Sequence, residues 1–371
     1  MTVSKDEAAA LSRMRSAKRI VIKLGTSTVT GTNGELSSER VGPIVRSISS
    51  LLKDDRQLVL ISSGAVGLGR GVLGLHPARL KDMVVRQACA AAGQSLLMES
   101  YKRLFEQHEI KIAQVLLTEE DFSNWNRYSN LRRTMEKLIG FGVLPIVNEN
   151  DVVSTAELES VSGEKNNRAF SDNDRLAALV MSGLEADAVV LLTSVDGLLD
   201  RGGEVIRLVR QITDDVKSLA EGPSTSGRGG MITKLEAAGI ATACGGFAVI
   251  ANGNEPDVIR RLFNGERIGT LFLPSNRMKG KRRWLAYAAG VRGRVVVDAG
   301  AHRAITRGKA SLLSTGVLRV EREFASMDVV SIVDPEGREF ARGVANCASN
   351  GSAEKRVLFT RDNIVLLQVG E

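Results

Sequence analysis

From residue 19 to about residue 275, short apolar runs alternate with longer stretches of helical spacing. The runs Ile20–Leu24, Leu58–Ser62, Ile112–Leu117, Val143–Val147, Ala188–Thr193 and Phe247–Ala251 are rich in Val, Ile and Leu without strict polar alternation. That is the pattern of strands buried on both faces. Between them the spacing predicts helices over Ser38–Leu52, Met83–Gln107, Asn130–Ile139, Asp174–Met181 and Met231–Ala243. Strand, helix and strand in this rhythm require right-handed crossovers and a mostly parallel sheet covered by helices, an α/β three-layer sandwich. After Pro274 the pattern changes. Short runs at Val295–Val297, Gly316–Val320, Val329–Val333 and Ile364–Gln368, separated by turn signals such as Asp334-Pro335-Glu336-Gly337, predict a small, mainly β module. The expected division is a domain over 1–276, a basic linker over 277–290 and the β module over 291–371.

Ligands of open parallel sheets bind beyond the carboxyl ends of the strands. Polar clusters fall there: Lys23 to Ser27, Ser62-Ser63-Gly64, Asn148–Asp151, Thr193–Gly197 and Asn252–Asn254. Lys23-Leu24-Gly25-Thr26-Ser27 and Gly229-Gly230-Met231-Ile232-Thr233-Lys234 each join small residues to one lysine. Bare backbone N–H groups can cradle a phosphate and an ammonium can supply a point charge. Neither segment has the spacing of a P-loop. Two such segments far apart in the chain suggest a phosphoryl group gripped from two sides. The G-x-G-x-x-G match at Gly69–Gly74 begins well past its strand, and we read it as a coincidence in a glycine-rich loop. Ser62 to Gly67 serves either as a tight strand-to-helix turn or as a place where a ligand approaches the backbone. Asn148-Glu149-Asn150-Asp151 and Asp172-Asn173-Asp174 could cap helices, but two dense polar clusters on one sheet exceed what capping requires.

Composition narrows the classes. Aromatic residues make up 4% of the 371 positions, too few for a surface that stacks bases. Cys89, Cys244 and Cys347 form no C-x-x-C pair, and His76, His108 and His302 share no metal-ligand spacing. The first residues are mixed and polar rather than a secretory core, and no run is long enough to span a bilayer, so a cytoplasmic setting is expected. Net charge is +7, of which Arg277, Lys279, Lys281, Arg282 and Arg283 hold five, while the β module is nearly neutral. That basic run could meet a nucleic acid. A solvated linker or a subunit contact accounts for it more simply.

In order and spacing the clusters resemble the amino-acid kinase family, and within it the branch that phosphorylates the side-chain carboxylate of glutamate. The marks are V-I-K-L-G-T-S at 21–27, S-S-G-A-V-G at 62–67, N-E-N-D at 148–151, S-D-N-D at 171–174 and G-G-M-I-T-K at 229–234. Asp298 to Ala304 and Gly308 to Leu313 look like the PUA domain appended in that branch; aspartate, uridylate and acetylglutamate kinases share the first domain without it. The resemblance implies that Lys23 and Lys234 contact the transferring phosphoryl group and that Asp174 organises them. It implies that Gly25, Gly229, Gly230, Met231, Ile232 and Thr233 approach the ATP phosphates, with Thr193 and Ser194 near the nucleotide. Ser63, Gly64, Asp151 and Asn173 would hold L-glutamate. Mg²⁺ would arrive on the ATP phosphates, with no protein side chain assigned as a metal ligand. The resemblance also implies feedback inhibition by proline and a homo-oligomer built through the kinase domain; the ready hydrolysis of an acyl phosphate suggests hand-over of the product to a glutamyl phosphate reductase, and with no long apolar run no membrane is expected. RNA binding by the PUA-like module is the disfavoured rival.

The chemistry of the residues agrees with this. A glutamate side chain, with a reference pKa near 4.3, is already an ionised nucleophile at neutral pH, so no general base is needed. The difficulty is electrostatic repulsion between two anions, which paired lysines would relieve. The match departs from the family pattern in three places: Ser171 stands where Gly is usual, the segment 152–171 is long and polar, and Thr193-Ser194 replaces Thr-Asp, with an acid only at Asp196.

Overall fold

In a computed structural model, eight strands of the first unit form one sheet: β1 (Arg19–Leu24), β2 (Gln57–Ser62), β3 (Lys111–Leu117), β4 (Val143–Glu149), β5 (Ala188–Thr193), β6 (Leu208–Val209), β7 (Phe247–Asn252) and β8 (Thr270–Phe272). Their order is β3-β4-β2-β1-β5-β7-β8-β6. The pairings from β3 to β7 are all parallel; β8 turns antiparallel to β7 and carries β6 parallel to itself. The structure describes residues 5–31, 35–154, 173–220, 230–275, 280–308, 310–350 and 356–367. The chain groups into two units, residues 1–119 with 129–277, and residues 120–128 with 278–371.

The apolar runs become strands because helices cover both faces of the sheet. Ile20, Ile22, Leu24, Leu58, Leu60, Val190 and Leu192 share one core with Val41, Ile44 and Ile48 of the helix Ser38–Lys53 and with Leu97, Tyr101 and Phe105 of the helix Met83–Glu106. The alternate residues face the helices Asn173–Leu184 and Met231–Ala243, whose own buried residues run almost continuously from Leu176 to Leu184 and from Lys234 to Ala243. Parallel register levels the strand ends: Leu24 lies beside Ser62 and Leu192, and Thr193 beside Asn252. The polar clusters at the strand ends therefore share one edge. The three-layer α/β architecture is as the spacing predicts.

Glycine accounts for one difference. Ala65–Val72 is a helix, where its glycines suggest a loop. A Cβ at Gly69 would overlap the Cys89 carbonyl, and one at Gly93 would overlap the Ala65 carbonyl. Two helices thus touch backbone to backbone there, and this contact supplies what low intrinsic propensity withholds. The G-x-G-x-x-G match is helix packing, with no dinucleotide turn.

In the second unit β9 (Gly293–Val297), β11 (Val317–Arg322), β12 (Val329–Val333), β13 (Glu339–Val344) and β15 (Ile364–Leu366) form a sheet in the order β11-β9-β12-β13-β15, and β10 (Leu312–Leu313) pairs with β14 (Val357–Phe359). Val295, Ile305, Phe324, Ile332, Phe340 and Phe359 build its core. Of the segment expected as a linker, Gly280–Tyr287 is a helix with Arg283 and Trp284 buried. Trp284 donates its Nε1–H to the Phe122 carbonyl (2.7 Å) and meets Trp125 edge-on at 5.3 Å. Gln368, Lys309 and the basic residues 277 and 279 lie outside the described residues.

Candidate active site

Lys23 interrupts an otherwise apolar strand. Because side chains alternate along β1, it leaves the core of Ile22 and Leu24 and points to the layer of the helices Asn173–Leu184 and Met231–Ala243. Asp174 lies in the first turn of one helix, and Lys234 is the fourth residue of the other. Lys23 Nζ lies 2.7 Å from Asp174 Oδ1, and Lys234 Nζ donates to Asp174 Oδ2 at 2.9 Å. The side chains are 6%, 7% and 0% exposed for Lys23, Lys234 and Asp174. Burial alone would push the Asp174 carboxyl upward, but the charges and hydrogen bonds of the two lysines outweigh it and hold the group below its ordinary range. One carboxylate bridges two ammonium groups in a place with little water, where charges act on one another with little screening.

One residue earlier, Asn173 ties a second cluster together. Its Nδ2 donates to Ser63 Oγ (2.8 Å), to the Ser62 carbonyl (3.2 Å) and to Asn148 Oδ1 (3.1 Å). Asn148 in turn donates to Gln94 Oε1 at 2.9 Å. Register accounts for the meeting, since Ile61 pairs with Val147 and so sets Ser62 level with Asn148. Gly64 turns the chain out of β2 with φ = 118°, a left-handed value that a side chain rarely tolerates. Gln94 follows Gly93, so the close helix contact described above sets its distance from the Ser63–Gly64 turn.

The other expected residues fall along the same sheet edge. Gly25 donates its N–H to the Leu192 carbonyl (3.1 Å), directly after β1. Thr193 ends β5 partly exposed, and Ser194 follows it exposed. Asp196, the acid displaced from the usual position, accepts from Asn252 Nδ2 at 2.8 Å. Gly230 caps the helix that carries Met231, Ile232, Thr233 and Lys234, and Thr233 Oγ1 donates back to its carbonyl at 3.0 Å. Asp151 follows β4 in a turn whose Asn150 N–H bonds the Leu117 carbonyl (2.8 Å). Gly229, Ser171 and Asp172 lie outside the described residues. Sequence reasoning did not assign Asn148 and Gln94 to the site. Asn148 stood in a recognised cluster, whereas Gln94 carried no local signal.

The sequence profile of the amino acid kinase family matches residues 18–251, and that of the PUA domain matches residues 293–355. The chain belongs to the amino acid kinase family. Among its relatives are proteins named glutamate 5-kinase. The one from Caldanaerobacter subterraneus subsp. tengcongensis is 39% identical, over 95% of this chain and 99% of its own length. That from Moorella thermoacetica is 43% identical over 90% and 87%. That from Myxococcus xanthus is 42% identical over 91% and 88%.

Proposed function

We propose that this protein is an ATP-dependent kinase of the glutamate side chain, forming L-glutamyl 5-phosphate and ADP as the first step toward proline. The observation that carries the reading is the buried Lys23–Asp174–Lys234 set, assembled from three separate elements at the edge where strand ends converge. A γ-carboxylate oxygen attacks the γ-phosphorus of ATP, forming the new O–P bond as the bond to the β–γ bridging oxygen breaks. The electron pair leaves on ADP, and no proton need move. Lys23 and Lys234 neutralise the phosphoryl oxygens, and Asp174 keeps both ammonium groups aimed despite their mutual repulsion. Ser63, Gly64, Asn173 and Asp151 hold glutamate. Gly25, Thr193, Ser194 and residues 229–234 hold the nucleotide.

In this reading a divalent ion arrives on the nucleotide phosphates, with no side chain of this chain assigned to it. Bound there, Mg²⁺ would add positive charge to the phosphate oxygens. No helix of the described residues is long and apolar enough to cross a membrane; a cytoplasmic setting is part of the proposal. Proline as a competitor at the glutamate site, a homo-oligomer and delivery of the labile acyl phosphate to a reductase belong to the same reading. Proline titration and solution mass test the first two.

The deciding assay traps acyl phosphate as hydroxamate with glutamate, aspartate and N-acetylglutamate in parallel. Turnover on glutamate alone is expected. Preference for either other acid would replace the substrate, and salt-sensitive RNA binding without any turnover would replace the reading altogether.

A further inference from the structure

The Asn173 cluster has a second anchor on its buried side. Tyr101, on the helix Met83–Glu106, is fully buried, and its phenol oxygen lies 2.7 Å from Ser62 Oγ. Ser62 is also fully buried, and its hydroxyl donates to the Ser63 carbonyl at 3.0 Å. A serine hydroxyl has one hydrogen, so in this arrangement the Tyr101 O–H donates to Ser62. Burial pushes the phenol's pKa further up, against the opposing effect of the Ser62 hydrogen bond, so the donor hydrogen stays in place. On the other side, Asn173 holds the Ser62 carbonyl and Ser63 Oγ. A trans peptide points its N–H opposite to its C=O. Drawing the Ser63 carbonyl toward Ser62 therefore turns the Gly64 N–H away from the buried phenol.

We propose that Tyr101, acting through Ser62, is a positioning residue that sets the orientation of the Ser63–Gly64 peptide against the acceptor substrate. The inference rests on the glutamate kinase reading, since it assigns that peptide to the acceptor rather than to the nucleotide. Three features make the relay stiff. The Tyr101 ring stacks on Phe105 with centroids 6.2 Å apart. The Gly69–Gly93 contact joins the helix of Tyr101 to the helix that starts after Gly64. Gly64 itself has a conformation that little else can adopt.

Steady-state kinetics of the full-length enzyme test this with Tyr101→Phe, Ser62→Ala and the double variant. Tyr101→Phe keeps the ring and removes only the hydroxyl. We expect KM for glutamate to rise about tenfold, as befits the ordering of one hydrogen bond. KM for ATP should stay within about twofold of wild type. The double variant should be no worse than Ser62→Ala, because both act on one relay. An unchanged KM for glutamate, or equal increases for both substrates, overturns the proposal even if melting temperature falls. Should Tyr101→Phe not fold, Ser62→Ala tests the relay from its other end. Wild-type protein that makes no glutamyl phosphate would overturn the underlying reading and this proposal together; an active wild type with unaffected variants sinks this proposal alone.

Discussion

Asp174 in the first unit and Glu321 in the second each sit between two cations, in different media. Asp174 is 0% exposed between Lys23 and Lys234. Glu321 is 31% exposed, with Arg294 Nε at 2.8 Å and Arg319 Nη2 at 2.7 Å. The pairing distances are nearly the same. What differs is water. Around Glu321, solvent screens the charges and an arginine can be lost without leaving a bare ion. Around Asp174 it cannot. The cations there also come from distant parts of the chain, with 60 residues separating Lys234 from Asp174, whereas Arg319 is two residues from Glu321. A local pair on a strand forms whenever the strand does. A buried trio drawn from three elements persists against its desolvation cost where it has another use, which in the proposed function is the grip on the phosphoryl group.

The largest expected effect tests that contrast directly. Lys23→Ala or Lys234→Ala should lower kcat by about a thousandfold or more, the scale of losing a preorganised charge at a transferring group. Arg294→Ala and Arg319→Ala should leave kcat within about twofold. Wild-type turnover in either lysine variant would erase the distinction.

Next comes Asp174→Asn, which removes the carboxylate that bridges two buried ammonium groups and should destabilise the first unit by about 3–5 kcal/mol. Both tryptophans of the chain, Trp125 and Trp284, lie in the second unit. Far-UV circular dichroism should show an earlier transition than the wild type's, and tryptophan fluorescence reports whether the second unit follows. Acid adds a sign. The native Asp174 carboxyl is held below its ordinary value, so the unfolded chain binds a proton first on acidification. Its stabilisation is complete above the unfolded pKa of about 3.9 and is lost as pH falls through the native value. Below about pH 4 the wild-type advantage over Asp174→Asn should shrink.

Much of this was legible beforehand, for reasons that also mark where reading stops. Strands such as Ile20–Leu24 and Ala188–Thr193 announce themselves because burial on both faces demands unbroken Val, Ile and Leu. Lys23 is conspicuous as the charge inside such a run. The helix Ala65–Val72 was hidden because its glycines serve a contact with Gly93, and that contact exists only once both helices are placed. Strand β13 was hidden by Arg342, which is buried against Glu339 (2.8 Å) and the Ala286 carbonyl (3.0 Å) and so breaks the apolar alternation. Gln94 and Tyr101 sit on one long helix with no local mark of function. What marks them is the company that β2 and β4 bring beside them, Ser62 and Asn148.

The smallest effect sharpens the contrast most finely. Arg319→Gln removes a guanidinium that donates to Glu321 from both Nε (3.0 Å) and Nη2 (2.7 Å), a geometry that looks strong on distance alone. In the folded protein the Arg319 hydrogen bonds come first in holding the Glu321 carboxyl below its usual range; partial burial opposes them, and Arg294 adds to them. Yet Arg319 is 57% exposed, and Glu321 keeps Arg294 after the substitution. The expected loss is about 0.5 kcal/mol, read as a small shift of the tryptophan-reported urea midpoint. Near 1 M salt, where the screening length falls to about 3 Å, even that shift should vanish. The Asp174→Asn deficit, shielded from ions by burial, should persist in the same salt. If the two deficits instead faded together, burial would not be what separates the two carboxylates, and the catalytic reading of the buried trio would lose its physical basis.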